Sequence, residues 1–105
     1  MNAQQPMKLY AIFRRRGWTP TEIEAADARS NAESAKRADQ LHKIRSYMLD
    51  EPDGTLGTIC IYQAVGTEAI VEHARAADLP CDDVVEITAI DVHRPDPELS
   101  VASAG

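Results

Sequence analysis

Residues Thr58 to Pro80 (TICIYQAVGTEAIVEHARAADLP) limit the folds open to this chain more than any other stretch. Thr58 to Ala64 alternates β-branched, aromatic and small residues, the pattern of a strand. Gly66 marks a turn, and Thr67 stands in N-cap position for a helix with Glu68 and Glu72 in its early turns. The Leu79-Pro80 pair ends that helix, because proline cannot continue it. The inward stripe is Ile70, Ala74 and Ala77. At about 100° per residue, His73 lies roughly 60° from Ile70, at the stripe's edge. This histidine is therefore expected to be half-buried beside the sheet.

The flanking segments complete a repeating plan. Lys8 to Arg15 (KLYAIFRR) reads as the first strand. Thr19-Pro20-Thr21-Glu22 signals a helix start, with Thr19 as cap, Pro20 at the first helical position and Glu22 closing a capping box. This helix is expected to run to about Ala38, with a thin inward stripe of Ile23, Ala26, Ser30, Ala38 and Leu41. Ser30-Asn31-Ala32-Glu33 offers a second capping box and a place for a break. His42 to Glu51 forms a strand, Pro52-Asp53-Gly54-Thr55 a hairpin turn, and Gly57 to Ala64 the return strand. Val84 to His93 is the last strand.

Strand, helix, strand, strand, helix, strand is the ferredoxin-like β-α-β-β-α-β plan. The expected fold is α+β, a four-stranded antiparallel sheet with two helices on one face. Parity assigns Leu9, Ala11, Phe13, Ile44, Met48, Ile59, Ile61, Val85 and Ile87 to the helix side. It assigns Tyr10, Ile12, Arg45, Tyr47, Leu49, Cys60, Tyr62, Thr88, Ile90 and Val92 to the open side. So apolar a face is covered by a second copy more readily than by water. A homodimer joined through the open face, of the dimeric α+β barrel type, is the expectation. Residues 1–7 are expected to be a flexible N-terminus, 8–94 a single domain and 95–105 a disordered tail.

Composition narrows the function classes. The net charge is −6, and Arg14-Arg15-Arg16 is the one dense basic run, read as a solvated loop edge or an anion contact. That balance argues against nucleic-acid binding. The polar start (MNAQQPMK) lacks the apolar core of a signal peptide, and no apolar run is long enough to span a bilayer. A cytoplasmic protein without membrane contact is expected. Cys60 and Cys81 form neither a CxxC motif nor zinc-finger spacing, and a reducing compartment disfavours their pairing.

Chemistry-bearing residues are few. His73 is read as a structural histidine bonded to backbone or carboxylate, as a metal or ligand contact, or as an acid-base group. His42 and His93 fall on opposite sheet edges and cannot meet within one copy. No HxH, HxxxH or HExxH spacing occurs. Tyr10, Tyr47 and Tyr62, with Cys60, share the expected open face and are read as ligand-binding or interface residues. Arg45 and Glu86 stand near the ends of that face, and Trp18 is read as a hydrophobic plug. No nucleophile elbow, glycine-rich phosphate loop or paired catalytic carboxylates are present, so the catalytic residues are unassigned.

Arg45-Ser46-Tyr47, Cys60-Ile61-Tyr62-Gln63-Ala64, Glu72-His73-Ala74 and Leu79-Pro80 stand in series, preceded by Arg29-Ser30-Asn31-Ala32. Over roughly Lys8 to Pro95 they resemble a family of small bacterial proteins known as a domain of unknown function. The resemblance implies a ferredoxin-like fold, a dimer whose sheets join as a barrel, and nickel as a cofactor, since a relative binds nickel. His73 is the metal ligand it points to. Where the family usually has glycine, this chain has Asp78, in a place that suits a left-handed helix cap. The resulting expectation is a dimeric protein that binds a metal ion, nickel among them, or a small ligand. The alternative is a small-molecule enzyme of the dimeric barrel type, isomerase or oxygenase.

Overall fold

A computed structural model describes residues 6–99. Its elements are β1 (Lys8–Trp18), α1 (Pro20–Ala35), β2 (Leu41–Asp50), β3 (Leu56–Ala64), α2 (Thr67–Ala76) and β4 (Asp83–Ile87). All strand pairings are antiparallel, in the order β2-β3-β1-β4. Each helix thus connects two strands that skip over a third, and the chain has the ferredoxin-like fold. No helix among the described residues is long and apolar enough to cross a membrane. The expected flexible N-terminus, residues 1–7, and disordered tail, residues 95–105, fall largely on residues 1–5 and 100–105, which lie outside the described residues.

Local signals explain most of the element ends. The Thr19 hydroxyl accepts from the Glu22 backbone N–H, and the Glu22 carboxylate accepts from the Thr19 N–H, closing the capping box. The helix α1 runs unbroken through Ser30 and stops at Ala35, short of Ala38. The helix α2 has Gly66 at its N-cap and Thr67 as its first residue, without a side-chain cap, so Thr67 does not play the capping role expected of it. At its C-terminus Leu79 N–H bonds the Ala74 carbonyl and Asp78 N–H the Arg75 carbonyl, while Asp78 adopts φ +57°. This is a Schellman ending with aspartate in the left-handed position that glycine usually fills. The strand β4 ends at Ile87, six residues before the expected His93, and the chain beyond it carries no regular structure to Leu99.

The faces of the sheet are the reverse of the expected parity for three of the four strands. Tyr10, Ile12, Cys60, Tyr62 and Ala64 are buried in the core cluster with Leu41, Ala69 and Ile70. Register places Leu9 opposite Ile87, Ala11 between Ile61 and Val85, and Phe13 opposite Ile59, all on the uncovered side. The reason is chemical: Tyr62 OH meets Ser30 Oγ of α1 at 3.0 Å, so the tyrosine handle finds its partner on the helix side. Within β2 the pairing shifts between Lys43 and Arg45, a bulge at Ile44. After it Tyr47 and Leu49 fall on the open side and Ser46 and Met48 on the helix side, as expected for Tyr47, Leu49 and Met48. Ile44 itself is exposed rather than packed under a helix, and Thr88, Ile90 and Val92 lie beyond the last strand. The open face stays apolar with its membership exchanged: Leu9, Ala11, Phe13, Ile59, Ile61, Val85 and Ile87 now line it.

Candidate functional site

The two helices meet the sheet over a small polar network. His73 is 1% exposed, more deeply buried than a helix-edge position implies. Its Nε2 lies 3.0 Å from the Ser30 carbonyl and 3.0 Å from Ser34 Oγ, both on α1. A carbonyl only accepts, so Nε2 carries the proton and donates it. The His73 ring tilts against Tyr62 with centroids 5.6 Å apart. Burial lowers the His73 pKa, helped by the nearby cations Arg14, Arg37 and Lys43 and opposed by the Ser30 bond. Burial likewise raises the Tyr62 pKa. His73 and Tyr62, expected on opposite sides of the sheet, are therefore neighbours in one helix-to-helix tie.

His73 by itself does not make a nickel site. Nε2 donates its proton to the Ser30 carbonyl, so Nδ1 is the one ring nitrogen left with a lone pair for a metal. Among the described residues no group of three or more His, Cys, Asp or Glu side chains is placed to hold a metal ion. His42 is exposed at the start of β2, and His93 is exposed with Nε2 3.1 Å from Asp91.

Beside this network, between α1 and the helix side of the sheet, lies a small open cleft of about 40 Å³. Trp18, Ile23, Met48 and Leu79 give it apolar walls, and Ser30, Ser46, Thr58 and Cys60 line it with hydroxyl and thiol groups. Ser46 Oγ donates to Cys60 Sγ at 3.2 Å. Lys43 and Asp27 also line it and pair with each other at 2.8 Å. The volume is well below that of drug-sized sites, so a ligand held there is small or projects from the open mouth.

Arg14 completes the lining and is the residue that sequence reasoning misplaced. Read as part of a solvated basic run, it is instead 2% exposed, an inward residue of β1 in phase with Tyr10 and Ile12. Arg15, one residue on, is exposed and pairs with Glu51 at 2.7 Å. The Arg14 Nε donates to the Pro80 carbonyl at 2.7 Å, but its Nη2 has no hydrogen-bond partner among the described residues. No carboxylate comes within ion-pair distance of Arg14 among the described residues. The signal that could have found it was parity: once Tyr10 turns inward, Arg14 must follow.

The other expected site residues are scattered. Tyr10 and Tyr62 are core residues, Cys60 lines the cleft, and Tyr47 lies on the opposite face, so the three tyrosines do not share a surface. Tyr47 OH instead donates to Asp96 at 2.8 Å, and Arg45 pairs with the same carboxylate at 3.2 Å rather than with Glu86. Trp18 is buried at the end of β1, as a plug should be, and forms one wall of the cleft.

A family model described as "Nickel responsive protein SCO4226-like" matches residues 10–87. The chain belongs to this SCO4226-like family. The match spans β1 to β4 and so includes both helices, the His73 tie and every residue of the cleft. Among solved structures the chain is similar to SnoaB, a cofactor-independent oxygenase from Streptomyces nogalater. The two are 22% identical over 87% of this chain and 99% of that one, with a TM-score of 0.46. Comparison with curated proteins found no match.

Proposed function

We propose that this member of the SCO4226-like family is a cytoplasmic homodimer that binds a small ligand in the cleft beneath α1 and does no chemistry on it. The cleft carries the reading: apolar walls around a few hydroxyl groups and a buried cation are the makings of a small-molecule site. Two free thiols and a chain of net charge −6 support a reducing compartment and a ligand other than nucleic acid. The second copy covers the open sheet face, where Phe13, Ile59, Ile61 and Val85 otherwise meet water. Thermal unfolding with a library of small fragments tests the cleft. Fragments that stabilise the wild type should lose their effect in Ser46→Phe, which fills the space between Met48 and Cys60. Equal stabilisation of both proteins, or of neither, refutes the reading. Light scattering tests the dimer, which Ile61→Lys should split into monomers.

The family description supports a second reading, a response to nickel. Because no group of three ligand side chains is assembled among the described residues of one copy, such a site draws ligands from two copies, and the exposed His42 and His93 are its candidates. Calorimetry of untagged protein decides: binding tighter than about 1 mM, near −4 kcal/mol, supports it and weaker binding rejects it.

A further inference from the structure

We infer that the cleft beneath α1 selects a small monocarboxylate with an apolar body, and that Arg14 is the residue that anchors its carboxylate. The inference rests on the ligand-binding reading above and specifies the ligand class.

Three observations carry it. Arg14 is 2% exposed and lines the cleft, yet its Nη2 has no partner among the described residues. A buried guanidinium that lacks a counter-charge is costly, and an anion that meets it offsets that cost. Its Nε is tied to the Pro80 carbonyl at 2.7 Å, which fixes the fork and leaves the Nη2 edge for a ligand. With Nε engaged, a carboxylate oxygen accepts from Nη2 in a charge-assisted bond.

Charge sets the valence. Lys43 and Asp27 neutralise each other at the cleft wall, so Arg14 leaves a single net positive charge. One such charge in a partly apolar site suits a monoanion and leaves a dianion such as sulfate uncompensated. The body of the ligand meets Trp18, Ile23, Met48 and Leu79, which offer apolar contact and an aromatic wall. Ser46 and Thr58, diagonal across β2 and β3 (Ser46 pairs with Cys60 and Thr58 with Met48), supply hydroxyls on the sheet floor.

Three probes in calorimetry test this: benzoate, its neutral isostere benzamide, and sulfate. Benzoate should bind at least about tenfold tighter than benzamide, the loss expected when one charge-assisted bond is removed. Sulfate should bind more weakly than benzoate by a similar factor. Arg14→Gln should weaken benzoate about tenfold and leave benzamide unchanged. Benzoate should also shift the Arg14 Nε–Hε resonance of the wild type, a measurement that does not depend on the variant folding. Benzamide binding as well as benzoate overturns the carboxylate assignment and leaves the cleft a ligand site. Sulfate binding as well as benzoate overturns the monoanion class. A benzoate titration that leaves the Arg14 resonance unmoved overturns Arg14 as anchor. If none of the three binds up to tens of millimolar, the inference fails, and the fragment screen with Ser46→Phe shows separately whether the cleft binds anything.

Discussion

Replacing Arg14 with methionine separates a residue kept for binding from one kept for stability. The wild-type side chain buries a charge with one orphaned donor, Nη2, which costs about 1–3 kcal/mol. Against this stands the charge-assisted bond from Nε to the Pro80 carbonyl, worth about 1.5–3 kcal/mol when made. Pro80 is only half-buried, so its carbonyl recovers water when the bond is lost. Methionine keeps most of the aliphatic stem and adapts to the space beside Trp18 and Cys60. Exchanging buried charge for apolar volume commonly stabilises by about 1–4 kcal/mol. The expected outcome for Arg14→Met is therefore a gain of about 1–2 kcal/mol, a rise of roughly 0.5–1 M in the urea midpoint for a chain of this size. Both proteins must be unfolded at the same protomer concentration, since dimerisation would make the midpoint concentration-dependent. A loss of more than about 2 kcal/mol would refute the reasoning and make the Arg14–Pro80 bond a structural keystone.

Two further outcomes follow from the helix ties. Asp78→Gly should stabilise by about 0.5–1 kcal/mol, the left-handed strain at φ +57° released less the backbone entropy glycine adds to the unfolded chain; Asp78→Ala, which keeps the strain, should show no gain in thermal unfolding. His73 titrates below its unfolded value of about 6.5, so the unfolded chain takes up the proton first as pH falls. Its stabilising contribution is full above about pH 6.5 and is lost as pH falls from there toward the lowered folded pKa. The groups facing it are Tyr62 on β3, Ser30 and Ser34 on α1, and the cations Arg14, Arg37 and Lys43. Urea midpoints measured from pH 8 to pH 5 should fall more steeply in the wild type than in His73→Gln, and parallel slopes would contradict the assignment.

The order of elements was legible because its signals are local: the Thr19–Glu22 capping box, the Asp53-Gly54 turn and the Leu79-Pro80 stop need no tertiary context. The faces were not, because β1 and β3 are apolar on both sides. Period-2 alternation fixes which residues travel together, as Tyr10, Ile12 and Arg14 do, but not which set turns inward. That choice was made by Ser30 and Ser34, which offer polar partners to Tyr62 and His73 from an otherwise thin helix face. The Ile44 bulge then changed the phase of β2 midway, which strict alternation cannot foresee. His73, expected half-buried at the edge of its stripe, is fully buried, and its hydrogen-bond partners belong to α1. Arg14 was hidden by its neighbours, since three consecutive arginines look alike until a strand's pleat sorts them.

The ties on α1 are distributed unevenly. Asp27, Arg29, Ser30 and Ser34 bind it to Lys43, to the Ala77 and Asp78 carbonyls, to Tyr62 and to His73, all from its middle onward. Its first turns carry the self-contained Thr19–Glu22 cap, and Ile23 and the buried Ala26 line the cleft from them. The helix is thus fastened like a door leaf along one half. Its other half borders the cleft near Arg14, so a ligand there meets the end of the helix that rests on packing rather than on polar bonds to other elements.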